Sequence, residues 1–149
     1  MNKLAMSAAL ALATGLGAAA LRPAEAADDQ KPYTVVNGKV DKGTYNGYRR
    51  YTDACLRCHG PDGAGSSYAP NLTDSLKHLS HDDFVSTVMG GKQDLSAGQE
   101  KVMPAFGNVS DVTDYLEDIY GYLKARSDGV LDRGRPERLP PDKDPKANS

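Results

Sequence analysis

The chain has 149 residues, of which 39% are hydrophobic, with two Cys, no Trp and a formal net charge of −2. This length corresponds to one domain, and the slight negative charge excludes a generic nucleic-acid binder, because affinity for phosphates needs a basic surface. Beyond the N-terminal segment, no apolar run approaches the length that spans a membrane.

The first 26 residues have the pattern of a secretory signal peptide. Lys3 supplies a positive start, an apolar stretch runs from Leu4 to Leu21, and Ala24-Glu25-Ala26 is a small-x-small cleavage site. An uncleaved membrane anchor is the alternative, which the many Ala, Gly, Ser and Thr residues of the stretch disfavour. Cleavage near Ala26 predicts an exported, periplasmic protein without stable membrane insertion.

A polar, extended arm over residues 27–43 and a helix follow in chain order. Thr44 or Asn46 is predicted to cap this helix. Four residues recur at three- and four-residue steps along one of its faces: Gly47, Tyr48, Tyr51 and Cys55. The helix therefore leads directly into the two cysteines.

The five residues from Cys55 to His59 have the Cys-x-x-Cys-His pattern of c-type haem attachment. In this pattern two thiols add across the haem vinyl groups, and the histidine is the proximal iron ligand. A disulfide, a redox Cys-x-x-Cys pair and a zinc site are the alternatives. None of them explains the adjacent histidine as well. The motif predicts one haem c, attached through Cys55 and Cys58 and ligated by His59.

Glycine and proline end the helix after His59, and the loop continues through Pro70. Ser80 is predicted to cap the next helix, which Gly90-Gly91 stops, and a loop follows from Lys92 to Asn108.

Ser110 is predicted to cap the strongest helix of the chain, and Lys124 and Arg126 lie at its end, where the helix dipole favours cations. Its apolar stripe has helical spacing: Val112, Tyr115, Leu116, Ile119, Tyr122 and Leu123. Residues 127–149 then form a tail rich in proline, glycine and charge, which is predicted to be solvated or only pinned to the surface.

The second iron ligand decides between electron transfer and chemistry on a small molecule. Met103 precedes Pro104 in a stiffened, extended segment and is predicted to be the distal axial ligand. Met89 lies on the apolar face of a short helix, where methionine usually packs in the core. Bis-histidine ligation through His78 or His81 is the other alternative. Iron bound by His and Met has no open position for substrate, as suits an electron carrier.

Several segments of the chain match the motifs of one known family. They are Gly47-x-x-x-Tyr51-x-x-x-Cys55-x-x-Cys58-His59, Ala69-Pro70-Asn71-Leu72, Met103-Pro104-Ala105-Phe106 and Ile119-Tyr120-Gly121-Tyr122-Leu123. Over residues 44–126 the chain resembles the class I cytochrome c family. The resemblance implies an all-α fold, with three to five helices wrapped around one covalently attached haem. It also implies that Gly47 and Tyr51 let the first helix cross the terminal helix near Tyr122, and that the Pro70 carbonyl meets the second ring nitrogen of His59.

A narrower resemblance covers further segments: residues 45–51, 59–66, 122–129 and 133–137. They resemble the cytochrome c-L type, which accepts electrons from quinoprotein methanol or alcohol dehydrogenases. This resemblance implies a periplasmic carrier of single electrons and not an enzyme. The expected donor is a PQQ-dependent dehydrogenase, the expected acceptor is another cytochrome or a terminal oxidase, and the expected state is a monomer.

Three alternatives remain to an electron carrier that serves a quinoprotein dehydrogenase. A haem enzyme such as a peroxidase needs an open or releasable iron position beside acid and base groups, and a gas sensor needs an output domain. One short domain with a single haem motif disfavours both. A general periplasmic carrier that serves another dehydrogenase is the third alternative.

Charge is predicted to be uneven over the domain. Arg49, Arg50 and Arg57 lie near the haem motif, whereas the terminal helix carries acidic residues: Asp111, Asp114, Glu117 and Asp118. Either face is a candidate for docking a redox partner, because complementary charge raises association rates. A solvated helix face is the alternative.

Overall fold

The computed structural model describes residues 31–94 and 101–148. In chain order the elements are β1 (Val35–Val36), β2 (Lys39–Val40), α1 (Lys42–Ala54), α2 (Leu56–His59), α3 (Leu72–Ser75), α4 (His81–Gly90), β3 (Lys92–Asp94), β4 (Lys101–Met103), α5 (Ser110–Thr113), α6 (Leu116–Ser127) and β5 (Glu137–Arg138), with 3-10 turns at Pro61–Gly63 and Pro141–Lys143. The predicted helical fold is confirmed. The described residues form six helices, one more than the upper limit of the predicted three to five. Three of the six are short, since α2, α3 and α5 have only 4 residues each.

The predicted signal peptide, residues 1–26, lies outside the described residues. Within the part of the chain that the structure describes, no helix is both long enough and apolar enough to cross a membrane.

Helices α1 and α6 cross closely and form the centre of the domain. A Cβ at Gly47 would overlap the carbonyl oxygen of Asp118, so the crossing requires glycine at this position. One turn further along α1, the rings of Tyr51 and Tyr122 pack at 5.6 Å between centroids. The contact that the family resemblance implies is therefore confirmed. The surrounding core includes Ile119 and Leu123, each at most 2% exposed.

The first helix begins earlier than predicted. Asp41 is its N-cap, and the Asp41 carboxylate accepts from the Thr44 amide at 2.9 Å and from the Thr44 hydroxyl at 2.8 Å. Neither Thr44 nor Asn46 is the cap, because the buried Asp41 directly precedes the first helical residue and its side chain takes this role. The described part of the predicted arm over residues 27–43 thus contains a hairpin and the first residues of α1.

Two helix N-caps were predicted in the second half of the chain, and the structure confirms one of them and contradicts the other. Ser80 caps α4 as predicted, because its hydroxyl accepts from the Asp83 amide at 3.1 Å. Ser110, however, lies inside the one-turn helix α5, whose N-cap Val109 has no side-chain cap bond. The predicted continuous helix is interrupted at Tyr115, which has φ −120° and ψ 19°. Its ring packs under the Arg50 guanidinium at 4.2 Å, which ties this break to α1.

Of the two states predicted for the tail, the described residues 128–148 fit attachment to the surface of the domain better than full solvation. Strand β5 pairs in parallel with β2, with Lys39 opposite Glu137, and the Leu139 amide donates to the Val40 carbonyl at 2.8 Å. Leu131 and Leu139 are 4% and 5% exposed. These widely spaced leucines bury apolar surface, which a composition dominated by charge and proline conceals.

Replacing Leu139 with alanine is expected to destabilise the protein by about 2 to 3 kcal/mol, because Leu139 is 5% exposed and its truncation leaves a cavity. Val130→Ala is the matched control, since Val130 is 44% exposed, and a change below about 0.5 kcal/mol is expected there. Urea unfolding of both variants measures the difference. Equal midpoints would show that the tail contributes nothing to the core.

Candidate haem site

The break between α1 and α2 places both cysteines in one turn of chain. Cys55 ends α1 with φ −110° and ψ −29°, and its carbonyl accepts from the amides of Cys58 at 3.1 Å and His59 at 2.9 Å. Both thiols are free, with Cys55 partly buried and Cys58 exposed. The structure therefore does not support the alternative of a disulfide between them.

Burial, together with a smaller contribution from the neighbouring Cys58, raises the pKa of the Cys55 thiol to about 11. Cys55 is accordingly protonated at neutral pH. Addition of a cysteine across a vinyl double bond places the sulfur on one carbon and a hydrogen on the other. A protonated thiol in a half-buried position fits that chemistry.

His59 is held in a single tautomer. Its side chain is buried, and Nδ1 lies 3.0 Å from the Pro70 carbonyl oxygen, as the family resemblance implies. Because a carbonyl can only accept, Nδ1 carries the proton and Nε2 carries the lone pair. Nε2 has no hydrogen-bond partner among the described residues. The Pro70 contact therefore fixes the orientation of the ring and leaves Nε2 available to a metal ion.

The loop after His59 is fixed by a hydroxyl that the sequence analysis did not assign. The Tyr51 hydroxyl donates to the Gly60 carbonyl and accepts from the Gly63 amide at 3.0 Å. Gly60 has φ +72°, a conformation that a side chain at this position would strain. Burial raises the pKa of Tyr51 to about 12, so the hydroxyl remains a donor. The only sequence signal was the position of Tyr51 on the face of α1 that contains Cys55.

A second unassigned contact joins this loop to the C-terminal segment. The Asp62 carboxylate accepts from the Gly134 amide at 2.9 Å and from Arg133 Nε at 3.2 Å, and the Asp62 side chain is 10% exposed. Asp62 has φ +60°, which is uncommon for a residue with a side chain. The tail thus fixes the haem-motif loop from outside, a pairing that no local pattern indicates.

Met103 comes from a different part of the chain than the cysteines. It ends β4, opposite Lys92 of β3, and its partly buried side chain packs against the core. The following segment is tied to α4, where the Phe106 amide donates to the Val88 carbonyl at 3.0 Å. The predicted loop over residues 92–108 therefore contains a short two-stranded ladder, which restrains Met103 more than an open loop would.

Met89 does not occupy the core position that was predicted for it. It is 37% exposed, next to the buried Val88, because α4 ends one residue later at Gly90. His78 is exposed, and His81 is occupied elsewhere, since its Nε2 lies 2.9 Å from the Glu117 carboxylate. The structure therefore gives no support to His81 as an iron ligand.

The donor set of the site fits haem c. Two free thiols, one imidazole with an available Nε2 and one partly buried thioether are the groups that this cofactor uses. No group of three or more His, Cys, Asp or Glu side chains suited to a metal ion occurs among residues 31–94 and 101–148. The zinc alternative is therefore not supported for this part of the chain.

Comparison with known proteins places the site in a family. The family described as "Cytochrome C oxidase, cbb3-type, subunit III" matches residues 44–123. The chain is 46% identical to cytochrome c-553I of Paracoccus denitrificans over 75% of its own length and 50% of that protein. It is 40% identical to cytochrome c-555 of Methylococcus capsulatus, over 66% of this chain and 75% of the relative.

A solved structure gives the same result. The crystal structure of the c-type cytochrome XoxG from Methylobacterium extorquens AM1 superposes with a TM-score of 0.67 at 47% identity. The match covers 77% of this chain and 70% of the XoxG chain. The present chain spans half the length of the Paracoccus relative. The helical fold, the Cys-x-x-Cys-His turn and these matches together show that the chain belongs to the c-type cytochromes, electron-carrying proteins that bind haem c covalently.

Proposed function

We propose that the protein is a periplasmic one-electron carrier that accepts electrons from a PQQ-dependent methanol or alcohol dehydrogenase and passes them to another cytochrome or a terminal oxidase. The observation that carries this proposal is the His59 ring, fixed by the Pro70 carbonyl beside two free thiols. A rigidly held ligand favours electron transfer, because little reorganisation accompanies the change of iron charge.

In this proposal Cys55 and Cys58 would hold haem c through thioether bonds, and His59 Nε2 and Met103 Sδ would bind its iron. Bound haem c supplies an iron that alternates between ferric and ferrous states. Pro70 holds the proton on His59 Nδ1, and Tyr51 keeps the following loop closed. With both His59 and Met103 bound, the iron would have no open position for a substrate, as suits an electron carrier.

The assignment of the donor rests on the resemblance to the cytochrome c-L type. It is supported by the 47% identity with the c-type cytochrome XoxG, a protein that matches most of this chain. The periplasmic location rests on the signal-peptide pattern of residues 1–26. A general carrier for another dehydrogenase is the second candidate, favoured by the similarity to cytochromes c-553I and c-555.

The predicted separation of basic and acidic faces is only partial. Arg50 pairs with Asp111 at 3.0 Å, so these two charges largely neutralise each other. Asp118 is half buried against α1, where its carboxylate accepts from the Asn46 amide at 3.4 Å. Arg49, by contrast, is exposed and has no partner among the described side chains.

Reduction of this cytochrome by a quinoprotein methanol or alcohol dehydrogenase is expected to be fast, saturable and slowed by salt. Exposed charges are screened over about 8 to 10 Å at physiological ionic strength, so docking through them weakens as salt rises. Stopped-flow absorbance at the haem measures the rate. Arg49→Glu and Asp114→Lys are expected to change the salt dependence in opposite directions without altering the haem spectrum.

An unrelated cytochrome c, mixed with the same dehydrogenase, is the control. If candidate quinoprotein dehydrogenases reduce both cytochromes equally slowly, the proposed donor is wrong and only a general carrier is left.

A further inference from the structure

The segment that contains Met103 is attached to the last turn of α4. The Phe106 amide donates to the Val88 carbonyl at 3.0 Å. Just beyond the helix, a Cβ at Gly91 would lie only 2.7 Å from the Met103 carbonyl oxygen, which is too close for any side chain. Because the two segments are in direct contact, a movement of α4 is transmitted to Met103.

The opposite end of α4 is attached to α6 by a histidine that takes no part in the haem site. His81 is the first residue of α4, and its Nε2 lies 3.0 Å and 2.9 Å from the two carboxylate oxygens of Glu117. The His81 ring packs edge-on against Tyr120 at 4.8 Å between centroids. Phe84 packs on the same Tyr120 ring at 5.2 Å. Helix α4 therefore meets α6 through one polar pair and one aromatic cluster.

The charge of the polar pair depends on protonation of His81. Desolvation lowers the pKa of His81, but hydrogen bonds and charge from Glu117 and Asp82 outweigh it and raise this pKa above the ordinary value for histidine. Stabilisation by the pair is therefore complete below the ordinary pKa of about 6.5 and is lost as pH rises through the raised pKa. The neutral ring can still form a hydrogen bond, but it no longer carries a charge that attracts the carboxylate.

Glu117 is the principal charged partner of His81. Asp82 lies 3.4 Å from His81 Nδ1, but its side chain is fully exposed, so water screens its charge. The other charged groups that line a cavity of about 430 Å³ beside His81 are Lys31, Lys124 and Asp128. Within the described ranges none of these three forms an ion pair with His81, and Lys124 and Asp128 pair with each other.

We propose that His81 is a positioning residue for Met103: its protonated ring, paired with Glu117, holds α4 and the attached Met103 segment against α6. The proposal rests on the assignment of Met103 as an axial ligand under the proposed function, and it adds the contact that restrains this ligand.

The expected effect of the pair is modest. Its side chains are 42% and 70% exposed, and the buried Phe84 keeps α4 attached when the pair is broken. Breaking the pair is therefore expected to raise the fraction of molecules in which Met103 has left the iron by a factor of about two to five.

Azide binding to the ferric holocytochrome, followed by haem absorbance, measures this fraction, because an added ligand binds only when the distal position is open. Azide stays ionised across the range in which histidine titrates, from about pH 5.5 to about pH 8.5. The wild-type protein is expected to bind azide about two to five times more tightly at the upper end of this range than at the lower end.

Three variants separate the charge of His81 from its bulk. His81→Gln has no charge and is expected to bind azide at every pH as tightly as the wild type does at high pH. Glu117→Gln is expected to behave in the same way, and combining the two changes adds nothing, because both break one contact. His81→Arg keeps a cation that can pair with Glu117, and it is expected to retain the weak, low-pH azide affinity throughout.

The chain offers matched controls for both partners. His78 is exposed three residues before His81, and its side chain has no partner among the described residues. Asp114 is exposed three residues before Glu117. His78→Gln and Asp114→Asn are therefore expected to keep the wild-type pH profile of azide binding. Urea unfolding of each variant measures global stability separately.

Three results would overturn the proposal. A wild-type pH profile in His81→Gln assigns the proton to another group. Additive effects of His81→Gln and Glu117→Gln show that the two residues do not act as a pair. Lower stability in urea with an unchanged azide profile reduces His81 to a purely structural residue.

The failure of the proposed function looks different. If Met103 is not the axial ligand, Met103→Ala binds azide no more tightly than the wild type at any pH, and the positioning proposal falls with that assignment. If only the proposed donor is wrong, slow reduction by the dehydrogenase reveals it, while the azide profiles of the His81 variants stay as expected.

Discussion

Replacing Cys55 and Cys58 together with alanine is expected to abolish covalent haem attachment and to reduce the yield of folded holoprotein to below about a tenth of the wild-type yield. Each single replacement leaves at most one thioether bond. His59→Ala is expected to remove the proposed proximal ligand, although both thioethers can still form. Because the cofactor organises the surrounding helices, losing its attachment or its ligand lowers the amount of folded protein.

Haem staining after denaturing electrophoresis measures the covalent bonds, and absorbance of the purified protein measures the holoprotein yield. Ser67→Ala is a suitable control, since Ser67 is exposed in the same loop and its replacement leaves the motif intact. Wild-type amounts of stably loaded protein from the double cysteine variant would refute covalent attachment through this turn.

Met103→Ala is expected to leave the haem attached and to open the distal position to water or an added ligand. The reduction potential is expected to fall by on the order of 100 mV, within the roughly 0.8 V range that axial ligands control, because the thioether favours ferrous iron. Loss of the long-wavelength absorption band typical of ferric iron bound by a thioether, together with binding of added imidazole, reports the open position. Spectroelectrochemical titration measures the potential.

The chain offers a matched control for this experiment in Met89. Met89 is 37% exposed at the end of α4, so Met89→Ala is expected to change neither the spectrum nor the potential. The opposite pattern, in which Met89→Ala opens the iron and Met103→Ala does not, would assign the distal ligand to α4.

Local chemistry made part of this structure predictable from the sequence. The Ser80 cap and the stop at Gly90-Gly91 are decided within one helical turn, and the structure has both. The placement of Cys55, Cys58 and His59 in one turn likewise follows from their spacing, because the Cys55 carbonyl accepts from the amides of Cys58 and His59. Each of these features depends on residues fewer than five positions apart.

Features that depend on distant residues were not predictable. Tyr115 interrupts the last helix where Arg50 lies over its ring. The Asp41 cap, by contrast, is a local contact with Thr44, three residues away, that the sequence prediction missed. The Asp62 contact with the tail spans 71 residues. Hydrophobic periodicity reports which face is buried, but it does not report which distant element buries it.

The contact between Asp62 and Arg133 also has a consequence for the order of assembly. Its partners are 71 residues apart, and the parallel pairing of Lys39 with Glu137 closes an even longer loop. Contacts of such separation form late, because the entropy of loop closure must be overcome first. The loop that contains Asp62 is therefore expected to be fixed only after Arg133 and Gly134 have folded back onto it.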